Sequence, residues 1–342
     1  MCAAAGNAAG APSRHAALCT VLLGAFVALS SQPGGAAPFA YIANHGAATV
    51  SVVDVGSSAV TATIGVGAAP FGVALFPGNA RAYVSNHLAG TLSVIDTNSQ
   101  AVLATINVGA RPSGVAVGPD GQRVYVANLG ADSVTVINAA TNTALLAINV
   151  GAAPNAVAVT PDGARVYVAN SRDGTVSVID TATNIVSSTI TVGSGPVGIA
   201  MNPSQPRAYV ANSGSASVSV IDTGTASVVA SVRVDGYPTG IAVAPGGAVA
   251  WVGNAYDGTL LRIETAGNTV AQSIDVGGAP AGVATTADGS HVFVVRGGAG
   301  NVVSVNASTG AVSAPIAVGS APVSLGSFVG PLIDGIFQDG FE

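Results

Sequence analysis

The chain lacks lysine, has little charge and holds almost no cysteine. Charged residues make up 8% of its 342 positions, and all ten basic ones are arginine, set against sixteen acids. A formal charge of −6 with no basic cluster excludes nucleic-acid binding, which needs a positive footprint to neutralise phosphates. The two cysteines, Cys2 and Cys19, both sit near the N-terminus, so the remainder has neither a disulfide nor a Cys-ligated metal. Aromatic residues are scarce at 5%, with a single Trp. The one long apolar run, AALCTVLLGAFVAL at 16–29, is too short to span a bilayer comfortably. Hydrophobic residues (49%) and glycine (45 residues) are abundant instead, which rules out a disordered chain.

Arg14 and His15 precede the apolar run, and the small residues of SSQPGGAA follow it. This order is that of a signal peptide, with cleavage after Ser30 or Ala36. Residues 1–36 are therefore expected to be a removed leader, and the mature chain to be exported without a thiol or a transmembrane segment. Leu18, directly before Cys19, argues against a lipid anchor.

The rest is a repeat. Tyr41, Tyr83, Tyr125, Tyr167, Tyr209, Trp251 and Phe293 recur every 42 residues, and so do Pro70, Pro112, Pro154, Pro196, Pro238, Pro280 and Pro322. Each unit holds four short runs rich in Val, Ile, Tyr and Thr, bounded by Gly, Pro, Asn and Asp. From Pro112 these are SGVAVG, RVYVAN, SVTVIN and TALLAINV. Four strands per 42 residues is what a propeller blade requires, whereas a solenoid would need polar capping units, and none is visible. The first copy lacks its Pro-led strand and the last ends on an unpartnered one, PVSLGSF at 322–328. The expected fold is all-β: a seven-bladed β-propeller of four-stranded, 42-residue blades over 37–330. The C-terminal strand closes the ring by joining the N-terminal blade, which abolishes the exposed edge.

YVAN followed by TVSVIDTATN, then VG, PxGVAV and PDG, resembles the YVTN-type (surface-layer/lactonase-like) propeller repeat of exported bacterial and archaeal proteins. The resemblance covers about 39–330 and implies a seven-bladed ring. It implies no single activity, because such propellers serve as lactonases, electron-transfer subunits, adhesins and scaffolds.

Residues present in most blades are scaffold. Antiparallel pairing sets Arg81 opposite Asp96, Arg165 opposite Asp180 and Arg207 opposite Asp222, so a ladder of cross-strand ion pairs is expected. Asn44, Asn86, Asn128, Asn170, Asn212 and Asn254 end the second strands, where Asn suits a turn entry.

Function belongs where the copies differ. Loops between blades, and those between second and third strands, are expected on one face. They carry His45, His87, Arg111, Ser171, Arg172, Asp173, Tyr237, Tyr256 and Asp257. His45 and His87 hold the same position in adjacent blades but have no evident third ligand, so no metal or cofactor is assigned. Arg172 and Asp173 read as a solvated pair. Tyr237 and Tyr256 suit a partner or a pocket rim. The first strands, FGVALF to VSLGSF, supply almost no acid, base or ligand to the channel, and the carboxylates, Asn or His that lactonase-type propellers place there are missing. No catalytic residue is assigned.

The leading reading is an exported, monomeric, non-catalytic binding scaffold in the periplasm, at the cell surface or outside the cell, taking a protein or envelope ligand on that face. Alternatives are a lactonase-like enzyme or redox accessory subunit with a small ligand in the channel, and a surface-coat or adhesion component. The tail 331–342, PLIDGIFQDGFE, lies outside the repeat and resembles a short sorting tag of exported proteins.

Overall fold

A computed structural model describes residues 39–330. The expected leader, both cysteines and the expected tail lie outside the described residues.

Each repeat folds into one antiparallel sheet. In blade 2 the strands Pro70–Leu75, Arg81–Asn86, Thr91–Asp96 and Ala101–Asn107 bond in chain order, and blades 3 to 6 repeat the arrangement. The first strand of each blade lines the channel and the fourth faces outward. The second and third strands are buried on both faces, because each blade is sandwiched between its neighbours. They accordingly read as unbroken apolar runs rather than alternating ones.

Blade 1 has three strands of its own, Phe39–Asn44, Thr49–Asp54 and Ala59–Gly65. Residues 322–329 complete it. The Tyr41 amide donates to the Phe328 carbonyl at 2.9 Å and the Val323 amide to the Ala43 carbonyl at 2.8 Å. The ring closes as the copy count requires. In blade 7 the outer strand shrinks to Ile316–Ala317, because Pro315 has no amide hydrogen to give to the ladder.

The core lies between blades. Tyr41, Tyr83, Tyr125, Tyr167, Tyr209, Trp251 and Phe293 are almost completely buried. Tyr83 of blade 2, for example, shares an apolar cluster with Val124 and Val126 of blade 3. Burial, reinforced by the Asp96 charge, pushes the Tyr41 hydroxyl up to about 12.

Two scaffold columns work differently from the expectation. The Asn column is buried and extended, and it does not enter the turn. Asn128 Nδ2 donates to Ser133 Oγ (3.2 Å) and Thr135 Oγ1 (2.8 Å) on the third strand, and Oδ1 accepts from the Gly109 amide at 3.1 Å. A Cβ on Gly109 would stand 2.5 Å from Asn128 Cγ, and Gly67, Gly151, Gly193 and Gly319 make the same room for Asn86, Asn170, Asn212 and Asn44. The left-handed turn residues come four positions later, at Ala48, Gly90, Asp132, Gly174, Ala216, Gly258 and Gly300.

The Arg and Asp residues hold the expected register, but among these pairs only Arg207 and Asp222 form an ion pair. Arg81, Arg123 and Arg165 reach across to the next blade and donate to the carbonyls of Ala139, Thr181 and Thr223 at 2.5–2.6 Å. The acids serve their own turns. Asp180 Oδ1 accepts from the Thr183 amide at 2.9 Å and the Ala182 amide at 3.1 Å, which holds its carboxyl below the usual carboxylate range. A buried guanidinium stem gains more from tying two blades through a carbonyl than from an exposed pair within one blade.

Candidate functional site

The two loop sets do share one face, because each second-to-third-strand loop is pinned to the loop that leads into its own blade. The His87 amide donates to Ala69 O (2.9 Å), Leu129 to Arg111 O (3.0 Å), Ser171 to Ala153 O (2.9 Å) and Ala255 to Tyr237 O (2.9 Å).

On this face the expected residues fall into three groups. The first spans blades 1 to 3. His45 and His87 come together, ring centroids 6.2 Å apart, with the Phe71 ring 5.9 Å from His45 and 5.7 Å from His87. Both histidines are half-buried. His87 Nδ1 lies 3.2 Å from the Pro112 carbonyl, whereas His45 Nδ1 is buried with no hydrogen-bond partner. Burial is the first cause that holds the His87 imidazole below its ordinary value, opposed by the Pro112 bond and aided by the nearby His45 and Arg111 charges. Arg111 is exposed and sits in the left-handed region at φ 49°. The loops of this sector, HGAA (45–48), VGAA (66–69), HLAG (87–90) and VGAR (108–111), contain no carboxylate.

The second group is on blade 4. Asp173 does not pair with Arg172: its Oδ2 accepts from the Ala152 amide at 2.6 Å and so holds the inter-blade loop. Arg172 is exposed and Ser171 Oγ donates to Ala153 O at 2.8 Å. The third group is on blade 6. Tyr256 is 85% exposed and Tyr237 49%. Asp257 is exposed and accepts from Asn254 Nδ2 at 2.8 Å, because Leu261 stands where blades 1 to 5 offer a hydroxyl.

Phe71 was missed by the sequence reading, which treated it only as a channel strand. Its signal was present, since no other first strand begins with an aromatic residue after its proline. Among the described residues no three His, Cys, Asp or Glu side chains are grouped to hold a metal ion.

At the opposite end the channel holds a cavity of about 300 Å³ walled by strand ends, among them Leu75, Val117, Val159, Met201, Val243 and Thr285. The wall carries neither an acid nor a base, so proton transfer has no agent there. Nearer the histidines, the hydroxyls of Ser113 and Thr239 donate to the carbonyls of Pro154 (3.0 Å) and Pro280 (2.7 Å), stitching neighbouring blades rather than facing a substrate.

The family model described as "Lactonase, 7-bladed beta-propeller" matches residues 61–184, roughly a third of the chain. With the seven sheets in place, this settles the repeat type. The chain carries a seven-bladed propeller repeat. No curated protein matches it in sequence. Solved structures share the fold. Hydrazine synthase of Kuenenia stuttgartiensis is 24% identical, with a TM-score of 0.71 over 78% of this chain and 90% of that one. A functionally unknown protein of Desulfotomaculum acetoxidans is 16% identical, with a TM-score of 0.74 over 84% and 99%. The dihydro-heme d1 dehydrogenase NirN, solved in complex with DHE, is 14% identical, with a TM-score of 0.63 over 84% and 74%. Among the described residues no helix is long and apolar enough to cross a membrane.

Proposed function

We propose that the chain is an exported, monomeric, non-catalytic propeller that binds a protein or envelope ligand on its loop face. One observation carries the reading: irregular polar and aromatic side chains collect on that face, while the channel cavity is lined by mostly aliphatic side chains and strand backbone, without an acid or base. The centre of the surface is the sector of His45, Phe71, His87 and Arg111. The loops that carry His45, His87 and Arg111 hold no carboxylate of their own, which favours a partner with acidic groups; the nearest acid, Asp132 of blade 3, is engaged by the Ala153 amide on the side of blade 4. Tyr237 and Tyr256 add exposed aromatic area of the kind enriched at interfaces.

The test is affinity capture from envelope extract with wild type and with His45→Ala/His87→Ala/Arg172→Ala/Tyr256→Ala. The quadruple variant is expected to lose the partner while keeping its melting temperature. Equal capture by both would exclude this face. N-terminal sequencing of the exported chain, starting at residue 31 or 37, tests the leader.

A second reading is favoured by the channel cavity and by the lactonase model match: a small ligand held in the channel. Native mass spectrometry of the purified chain separates the two, since a co-purifying mass of a few hundred daltons supports the channel and its absence supports the face.

A further inference from the structure

We propose that His45 and His87 together hold one first-row transition-metal ion, Zn2+ or Cu2+, at the junction of blades 1 and 2. The site needs only these two protein ligands, leaving its other positions for water or for a group of the bound partner. Imidazole nitrogen suits both ions.

Three observations converge. The ring separation is right for a shared ion: with a metal–nitrogen bond of about 2.0–2.1 Å, two imidazoles across one ion stand up to about 6.4 Å apart, centroid to centroid. The observed separation is 6.2 Å, so a near-linear pair fits directly and a tetrahedral one asks the rings to close by about 1 Å. Next, each ring has a nitrogen with no hydrogen-bond partner on the protein. Donation from His87 Nδ1 to the Pro112 carbonyl leaves the Nε2 lone pair free, the way a metal-ligating His is oriented by its second nitrogen. His45 Nδ1 is buried with no partner. An orphaned buried acceptor or donor is costly, and two packed rings alone give no reason to turn that nitrogen inward. Third, the Phe71 ring packs against both imidazoles, which restricts their rotation and holds the pair together. Arg111 beside His87 disfavours a bare dication and draws an anionic ligand, such as a partner carboxylate, to the open positions.

The site stands or falls apart from partner capture, because it is read with metal alone. Zn2+ and Cu2+ are titrated calorimetrically into the full chain, purified without a polyhistidine tag, and the Cu2+ form is examined by EPR. One ion per chain is expected, bound at least tenfold more weakly by His45→Gln and by His87→Gln, and unchanged in His15→Gln and His291→Gln. Unaltered affinity in the first two variants, or no binding by wild type, overturns the proposal. Should either variant fail to fold, the wild-type spectrum decides: coupling to two nitrogens supports the site, and one or none overturns it.

Discussion

Asn128 and Gly109 act as one unit, although 19 positions separate them. The buried amide bonds two third-strand hydroxyls and the Gly109 backbone, and it fills the volume that any larger residue at 109 would need. Asn128→Ala should cost about 1–3 kcal/mol by leaving buried polar groups unpaired, and Gly109→Ala about 1–3 kcal/mol by overpacking. The double variant should cost less than the sum, since deleting the amide makes room for the new methyl. Urea denaturation of all four proteins measures this, and strict additivity would refute the coupling. The pairing was half legible. A hydroxyl pair two positions apart, as in Thr49/Ser51, Thr91/Ser93 and Thr175/Ser177, stands beside the Asn of blades 1 to 5, but nothing in one blade's letters says that an amide crosses to them. Blade 6 shows the dependence: with Leu261 in place of the hydroxyl, Asn254 donates to Asp257, whose side chain stays exposed on the loop face.

Among the elements, the closing strand matters most. Residues 322–329 are the one segment whose partner strand lies at the far end of the chain, and Phe328 within it is fully buried against Tyr41, Val73 and Ala82 in the blade 1 cluster. Phe328→Ala should cost about 3–5 kcal/mol. A chain ending at Val318 should expose the unpaired edge of Phe39–Asn44 and elute as soluble aggregate in size-exclusion chromatography. A monomeric product with the wild-type melting temperature would show that the ring does not depend on this strand. Closure was readable from the arithmetic of the copies. The shortened outer strand of blade 7 is written in Pro315, a departure from the repeat that removes one ladder donor.

For the whole molecule, the turn carboxylates set an acid limit. Thr286, Ser290 and the turn amide hold the Asp288 carboxyl down to about 2, and hydrogen bonds within their own turns depress Asp96, Asp180 and Asp222. Each folded value lies below the unfolded one, so the stabilisation is complete above the ordinary carboxylate range near pH 4 and is lost as pH falls through the folded values. The melting temperature should therefore fall slightly between about pH 7 and 5, where the unfolded chain protonates His87 more readily than the folded one does, and drop more steeply between about pH 4 and 2 as the turn carboxylates protonate. Calorimetric scans across that range check it. A constant melting temperature down to pH 2 would mean that these turns contribute nothing to stability.

Period, strand count, blade number and ring closure were all determined by the letters, because each rests on local β-propensity and on a count of equal units. Tertiary structure alone decided how repeated polar residues are used: Arg81, Arg123 and Arg165 tie one blade to the next, Asp180 serves its own turn, and Asn128 locks its blade. It also decided that His45, Phe71 and His87 meet. Those residues come from two different blades, and their encounter depends on the angle at which closing the ring sets one blade against the next, a quantity that no single repeat encodes.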